Sequence, residues 1–188
     1  MIRKMIVIPV GLPGSGKSTL IRKLDLPESF VIISADRVRD ELFGVVFDPR
    51  VEQYVWRIVD SLVEGHLNLG RDIILDTTNL SRVRRQKWLE YSQRFGHKAL
   101  AIFFDVPFTE VLRRNRLRTG DWVVPEDVLI QKKTSLEPPT LEEGFNKIIT
   151  VGGASIDDVN KVRQALASMD GAARDRFSRP ILLSESER

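Results

Sequence analysis

The chain has 188 residues, 42% of them hydrophobic and 29% charged, which suits one soluble domain with a sizeable core and excludes a disordered or fibrous protein. It has no cysteine, so disulfides, thiolate metal sites and a cysteine nucleophile are excluded, and a reducing, cytoplasmic compartment is expected. The net charge is only +3, so the placement of the basic residues matters more than their total.

The first apolar run, residues 5–10, is too short for a signal peptide and is broken by Pro9 and Gly11. It runs into Gly11-Leu12-Pro13-Gly14-Ser15-Gly16-Lys17-Ser18-Thr19, and a helical pattern follows over 18–24. This is the G-x-x-x-x-G-K-[ST] phosphate loop in its required strand–loop–helix setting. Gly11, Gly14 and Gly16 allow successive backbone N–H groups to turn toward phosphate oxygens, and the helix start adds a positive dipole end. Ser15 and Thr19 lie within the same loop. Lys17 would reach the outer phosphates, and the Ser18 hydroxyl would ligate magnesium. A bound nucleoside triphosphate is the expectation.

Further strand-like runs follow at 30–34, 72–76, 99–105 and 146–151, short and apolar on both faces as in a buried parallel sheet. Helical patterns separate them. Asp48 with Pro49 reads as the N-cap of a helix running to about Leu69, with Gly70 as its stop. Residues 81–95, 107–118 and 125–136 read as three more, and Thr140 with Glu143 as a capping box. A last helix begins after Ser155, with Ile156, Val159, Val162, Leu166 and Met169 as its apolar face. The alternation predicts an α/β layered fold with a central parallel sheet, one domain over 1–170, and a loosely held tail over 171–188.

In such sheets ligands bind at the carboxyl ends of the strands. Asp36 and Arg39 follow the second strand and should therefore face the phosphate loop, the carboxylate as a general base and the guanidinium as a bidentate phosphate contact. The bland alternative is a helix cap paired with its own arginine. Asp76 ends the third strand, where an acid touches magnesium or its water shell, and Thr78 and Asn79 read equally well as caps. Two arginine clusters stand out, Arg82, Arg84 and Arg85, and Arg113, Arg114, Arg116 and Arg118. Such clusters are usually solvated helix faces, but each here follows a strand in an enzyme-like pattern, which raises their interest. On a helix Arg114 and Arg118 share a face, and Thr119-Gly120-Asp121 would let that segment close as a lid over a moving phosphoryl group. His66 and His97 stand alone, and no Asn-Lys-x-Asp guanine-recognition stretch or D-x-D-x-T phosphatase motif occurs. Of Trp56, Trp88 and Trp122, only Trp122 beside the lid suggests a base-stacking platform.

Gly11 to Thr19, Asp36-x-x-Arg39, Asp76-x-Thr78-Asn79, Phe104-Asp105-Val106-Pro107, Arg114-x-x-x-Arg118, Val124-Pro125 and Pro139-Thr140 with Glu143-Gly144-Phe145 come in the order found in polynucleotide 5′-kinases. Over residues 5–151 the chain resembles the kinase module of the bacteriophage, mammalian and bacterial members. That resemblance implies an adenylate-kinase-like P-loop sheet and transfer of the ATP γ-phosphate, with magnesium, to a 5′-hydroxyl of DNA or RNA. It implies Lys17 on the phosphates, Ser18 and Asp76 at the metal, Asp36 as base, Arg39 on the acceptor's 3′-phosphate, and Arg118 assisted by Arg114 on the transferred group. Ser34-Ala35 departs from the Asn-Arg that relatives often carry, and a phosphatase or ligase activity would sit on a separate chain. A small-molecule kinase acting on a sugar, antibiotic or nucleotide-sugar, and a nucleotide-binding switch without transferase activity, are the competing readings. The oligomeric state, a homo-oligomer included, is left open.

Overall fold

The computed structural model describes residues 4–27 and 29–169. The tail expected over 171–188 lies outside the described residues.

Five parallel strands, β1 (Met5–Val10), β2 (Phe30–Ser34), β3 (Asp72–Asp76), β4 (Lys98–Phe104) and β5 (Lys147–Val151), form one sheet in the order β2-β3-β1-β4-β5. β1 is central and buried throughout, which is why it carries no polar side chain. Its alternate residues feed two cores. Ile6, Ile8 and Val10 pack against α3 (Glu52–Asn68) and α4 (Arg82–Arg94), while Met5 and Val7 pack against α1 (Lys17–Lys23) and α7 (Ile156–Met169). The remaining helices are α2 (Ala35–Phe43), α5 (Phe108–Arg116) and α6 (Glu126–Thr134). The layered α/β P-loop fold read from the sequence is therefore the fold of the chain. Among the described residues no helix is long and apolar enough to cross a membrane.

The strand order reverses direction at β1, so the carboxyl ends of β1, β2 and β3 open onto one crevice. Pro9 has no N–H for the ladder, and β1 is registered with β3 only at Ile6–Ile73 and Val7–Ile74. Beyond that point the side-chain amide of Asn79 donates to the Pro9 carbonyl at 2.8 Å, and the Gly11 N–H donates to the Thr78 carbonyl at 3.1 Å. The end of β3 thus fixes where the phosphate loop begins.

Two helix boundaries differ from expectation. Asp48 does not cap α3, which starts at Glu52. Its carboxylate accepts from the Arg50 backbone N–H at 2.9 Å and from the Arg50 guanidinium, forming a local turn that competes with helix initiation. α5 stops at Arg116 because Asn115 turns its side chain to the Val124 backbone, accepting at 3.1 Å and donating at 2.7 Å. Arg118 lies past that helix end, so its position comes from the turn and not from a shared helical face with Arg114.

The cluster at Arg82, Arg84 and Arg85 is split: Arg82 is exposed, Arg84 half-buried and Arg85 inside the protein. Arg85 is fully buried and pairs bidentately with Glu143 at 2.7 and 2.8 Å. Its Nη1 also donates to the carbonyls of Asn79, Leu80 and Glu137. Glu143 accepts from the Thr140 N–H at 3.0 Å, completing the predicted capping box on a short 3₁₀ turn, Leu141–Glu143.

Candidate active site

The carboxyl ends of β1, β2 and β3, the end of α5 and the start of α6 enclose one cleft of about 1140 Å³. Lys17, Ser18, Asp36, Arg39, Asp76, Arg114 and Arg118 all line it. Residues as far apart in sequence as Lys17 and Arg118 thus meet around one space.

On one side lies the phosphate loop. Gly14 and Gly16 take φ values of 82° and 102°, open to glycine but strained for other residues. At Gly11 the constraint is space, since a Cβ would lie 2.8 Å from both Phe104 Cβ and Ser15 Oγ. Lys17 is buried and donates to the carbonyls of Gly11 at 3.0 Å and Leu12 at 2.7 Å, with Ser15 Oγ at 3.4 Å. Burial lowers its pKa to about 8, against the opposing pull of Asp76 and Asp36. The Ser18 hydroxyl donates to Asp76 at 3.0 Å. Burial raises the Asp76 pKa above the usual carboxylate range, partly offset by Ser18 and Lys17.

Arg114 lies across the loop, its Nη1 3.3 Å from the Ser15 carbonyl and its Nε 2.7 Å from Glu110. Arg118, in contrast, is half-buried and, among the described residues, donates to the Trp122 carbonyl at 3.3 Å. Its charge, with that of Lys132, still reaches Lys17 and helps lower the lysine's pKa.

The opposite side is built by α2 and α3. Ser34 caps α2, its hydroxyl accepting from the Arg37 N–H at 3.4 Å, so Asp36 enters the first turn with its side chain 67% exposed. Arg39 donates to Asp36 at 2.6 Å and, bidentately, to Glu52 at 2.5 and 2.8 Å. The pairing of Asp36 with its own arginine therefore exists and coexists with a place in the cleft. The Arg39 guanidinium, and more weakly the Trp56 indole, hold the Glu52 carboxyl below its usual range. Glu52 was missed by sequence reading. Its signal was only its place in the first turn of a helix, where acids are common.

Four further residues are placed by the fold. Asn79, at φ 47°, is buried and bonds Pro9, Thr77 and the Trp88 indole, which makes it a structural residue of the cleft floor. Trp88 is core. Trp56 lines the cleft with the Arg84 guanidinium carbon 3.7 Å above its ring, a feature the sequence did not single out. Trp122 lines the opposite lip.

What the arrangement can do is hold polyphosphate against lysine and loop N–H groups while a carboxylate faces it across the cleft. Comparison with known proteins agrees with that chemistry at the level of the fold. A family model for an AAA domain matches residues 6–139. A bifunctional polynucleotide phosphatase/kinase of Schizosaccharomyces pombe is 23% identical over 147 residues, covering 76% of this chain and 32% of that protein. The chain thus spans about a third of the length of the curated relatives it matches. A chain in the Pnkp1/Rnl/Hen1 RNA repair complex superposes with a TM-score of 0.63 at 26% identity, over 72% of this chain and 45% of that one. A sugar kinase of Janibacter sp. superposes with a TM-score of 0.64 at 16% identity, over 87% and 94% of the two chains.

Proposed function

The chain belongs to the AAA domain family and has a P-loop kinase fold, and from that premise we propose that it is an ATP-dependent polynucleotide 5′-hydroxyl kinase. The observation that carries this reading is the Asp36–Arg39–Glu52 cluster facing Lys17 across a single cleft, with Arg118 at its mouth. The similarity to a polynucleotide phosphatase/kinase supports the choice of acceptor.

In this mechanism the loop N–H groups and Lys17 hold the β- and γ-phosphates of ATP. Asp36 accepts the proton of the acceptor 5′-hydroxyl, an effect worth about 10²–10⁴ in rate. The acceptor oxygen forms its bond to the γ-phosphorus as the bond to the bridging β,γ-oxygen breaks, and ADP leaves. Arg118, from the lid side, meets the charge spread over the moving group, and Arg114 braces the loop. Arg39 retains two guanidinium N–H groups beyond its three bonds to Glu52 and Asp36, and these face the acceptor's 3′-phosphate. The oxygen donors of Ser18 and Asp76 suit magnesium, which would supply charge neutralisation to the phosphates. The kinase domain of this reading covers residues 1–170 and works in the cytoplasm. Since a related chain is part of a complex with other proteins, a ligase or phosphatase partner on a separate chain belongs to the same proposal.

A small-molecule acceptor is the competing reading, favoured by the near whole-length fold match to a sugar kinase. One experiment separates them: γ-labelled ATP and magnesium with DNA, RNA, nucleoside 3′-phosphate, sugar and nucleoside acceptors. Labelling of 5′-hydroxyl polynucleotides well above sugars is expected. Labelling of a sugar alone would replace this reading with the other.

A further inference from the structure

The chemistry above leaves the Trp56–Arg84 pair unused. Among the described residues, the guanidinium groups that line the cleft are those of Arg39, Arg84, Arg114 and Arg118. Arg39 is neutralised by Glu52 and Asp36, and Arg114 by Glu110. Arg118 and Arg84 enter no ion pair with a described residue. Arg118 already has an anionic partner in the transferred phosphoryl group. Arg84 has none.

Arg84 is half-buried, and a partly desolvated cation without a directly bonded counter-ion is costly to maintain. Burial lowers its pKa even with Asp60 and Glu52 near enough to oppose the effect. Its guanidinium is nonetheless held in place, stacked 3.7 Å above the Trp56 ring. Stacking fixes the plane and leaves the N–H edge open for a bidentate anion, a preorganised form of phosphate recognition. The helix supplies the spacing. Glu52, which clamps Arg39, and Trp56, which carries Arg84, are four residues apart on α3, about one turn or ~6 Å. Two guanidinium groups, those of Arg39 and Arg84, are therefore held against successive turns of α3 on one wall of the cleft. A ligand with one phosphate needs one such group; a strand with a phosphate at every nucleotide can use both.

We propose that Arg84, held flat by Trp56, binds the second phosphate of the acceptor strand counted from its 5′ end, while Arg39 faces the first. The inference rests on the polynucleotide kinase reading and adds a preference for acceptors bearing at least two successive phosphates.

The test compares kcat/KM, at saturating ATP, for a nucleoside 3′-monophosphate and for a dinucleotide carrying both an internucleotide and a 3′-terminal phosphate. Wild type should prefer the dinucleotide by roughly tenfold or more, the scale of one charge-assisted contact. In Arg84→Gln the ratio should fall to about 1 through KM, and Arg84→Lys should restore part of it. On a longer single strand the log–log salt dependence should become shallower by about 0.7 in Arg84→Gln, one phosphate contact fewer. Thermal melting of each variant separates lost folding from lost binding, and Trp56→Phe, which keeps an aromatic platform, should retain most of the preference. A dinucleotide no better than the mononucleotide, or an unchanged ratio in a folded Arg84→Gln, overturns the proposal while leaving the kinase reading intact. Labelling of no nucleotide acceptor at all overturns both.

Discussion

The two walls of the cleft hold their charged groups by different physical means. On the donor side, the phosphate loop is nine consecutive residues whose backbone does the positioning, through left-handed glycines and a carbonyl-bound, buried Lys17. On the side proposed to take the acceptor, Asp36, Arg39, Glu52, Trp56 and Arg84 come from three helices and hold one another through ion pairs and a stack. The donor wall is specified by local backbone geometry and tolerates little substitution. The acceptor wall is a set of side chains whose positions depend on how α2, α3 and α4 pack. The same fold is shared at similar TM-scores with a chain of the Pnkp1/Rnl/Hen1 RNA repair complex and with a sugar kinase.

The largest expected effect lies between the walls. Arg118→Ala should lower kcat by about 10³–10⁵ with little change in ATP binding, because its contact forms only as charge moves. An equal loss in ATP affinity would instead assign Arg118 to the donor wall. Asp36→Ala should cost about 10²–10⁴ in kcat while nucleotide binding stays intact. Near-normal labelling by that variant would remove the base assignment and leave the acceptor wall without a catalytic group. Glu143→Ala tests whether both walls rest on one floor. It strands the buried Arg85 and should lower unfolding stability by about 3–5 kcal/mol in a urea titration. A loss below 1 kcal/mol would mean that the carbonyls of Asn79, Leu80 and Glu137 suffice to hold Arg85. The smallest effect belongs to the donor wall alone. With Lys17 at a pKa of about 8, ATP affinity should weaken above that pH by at most tenfold per unit, as binding must restore the proton. The same displacement makes the nucleotide-free protein gain stability between about pH 8 and the ordinary lysine value of 10.5, since the unfolded chain binds the extra proton there. A flat ATP affinity from pH 7 to 10 would show that Lys17 stays charged in the free protein.

The resemblance-bearing segment Pro139-Thr140 with Glu143-Gly144-Phe145 illustrates how motif and mechanism separate. In the sequence it served as a family marker; in the fold Glu143 is the counter-ion of Arg85, and Phe145 is buried in the core beside α3 and α4. Through Arg85 it supports the segment from Asn79 to Leu80 on the cleft floor, which is a structural role. The role of Arg85 within its arginine cluster was not legible in the sequence for a related reason. Charge density along a chain does not say which member will find a buried carboxylate 58 residues away.

From the sequence alone came the five strands, their parallel pairing, the phosphate loop and the alternation of helices. Each is a local or periodic property: apolar runs on both faces, glycines at positions needing unusual dihedrals, and caps at helix starts. The folded chain alone decided that α3 begins at Glu52, that Arg118 leaves the helix, that Glu52 clamps Arg39 and that Trp56 carries Arg84. Those facts depend on side chains from separate elements meeting in three dimensions, and their pairing energies exist only once the sheet has brought them within a few ångströms of one another.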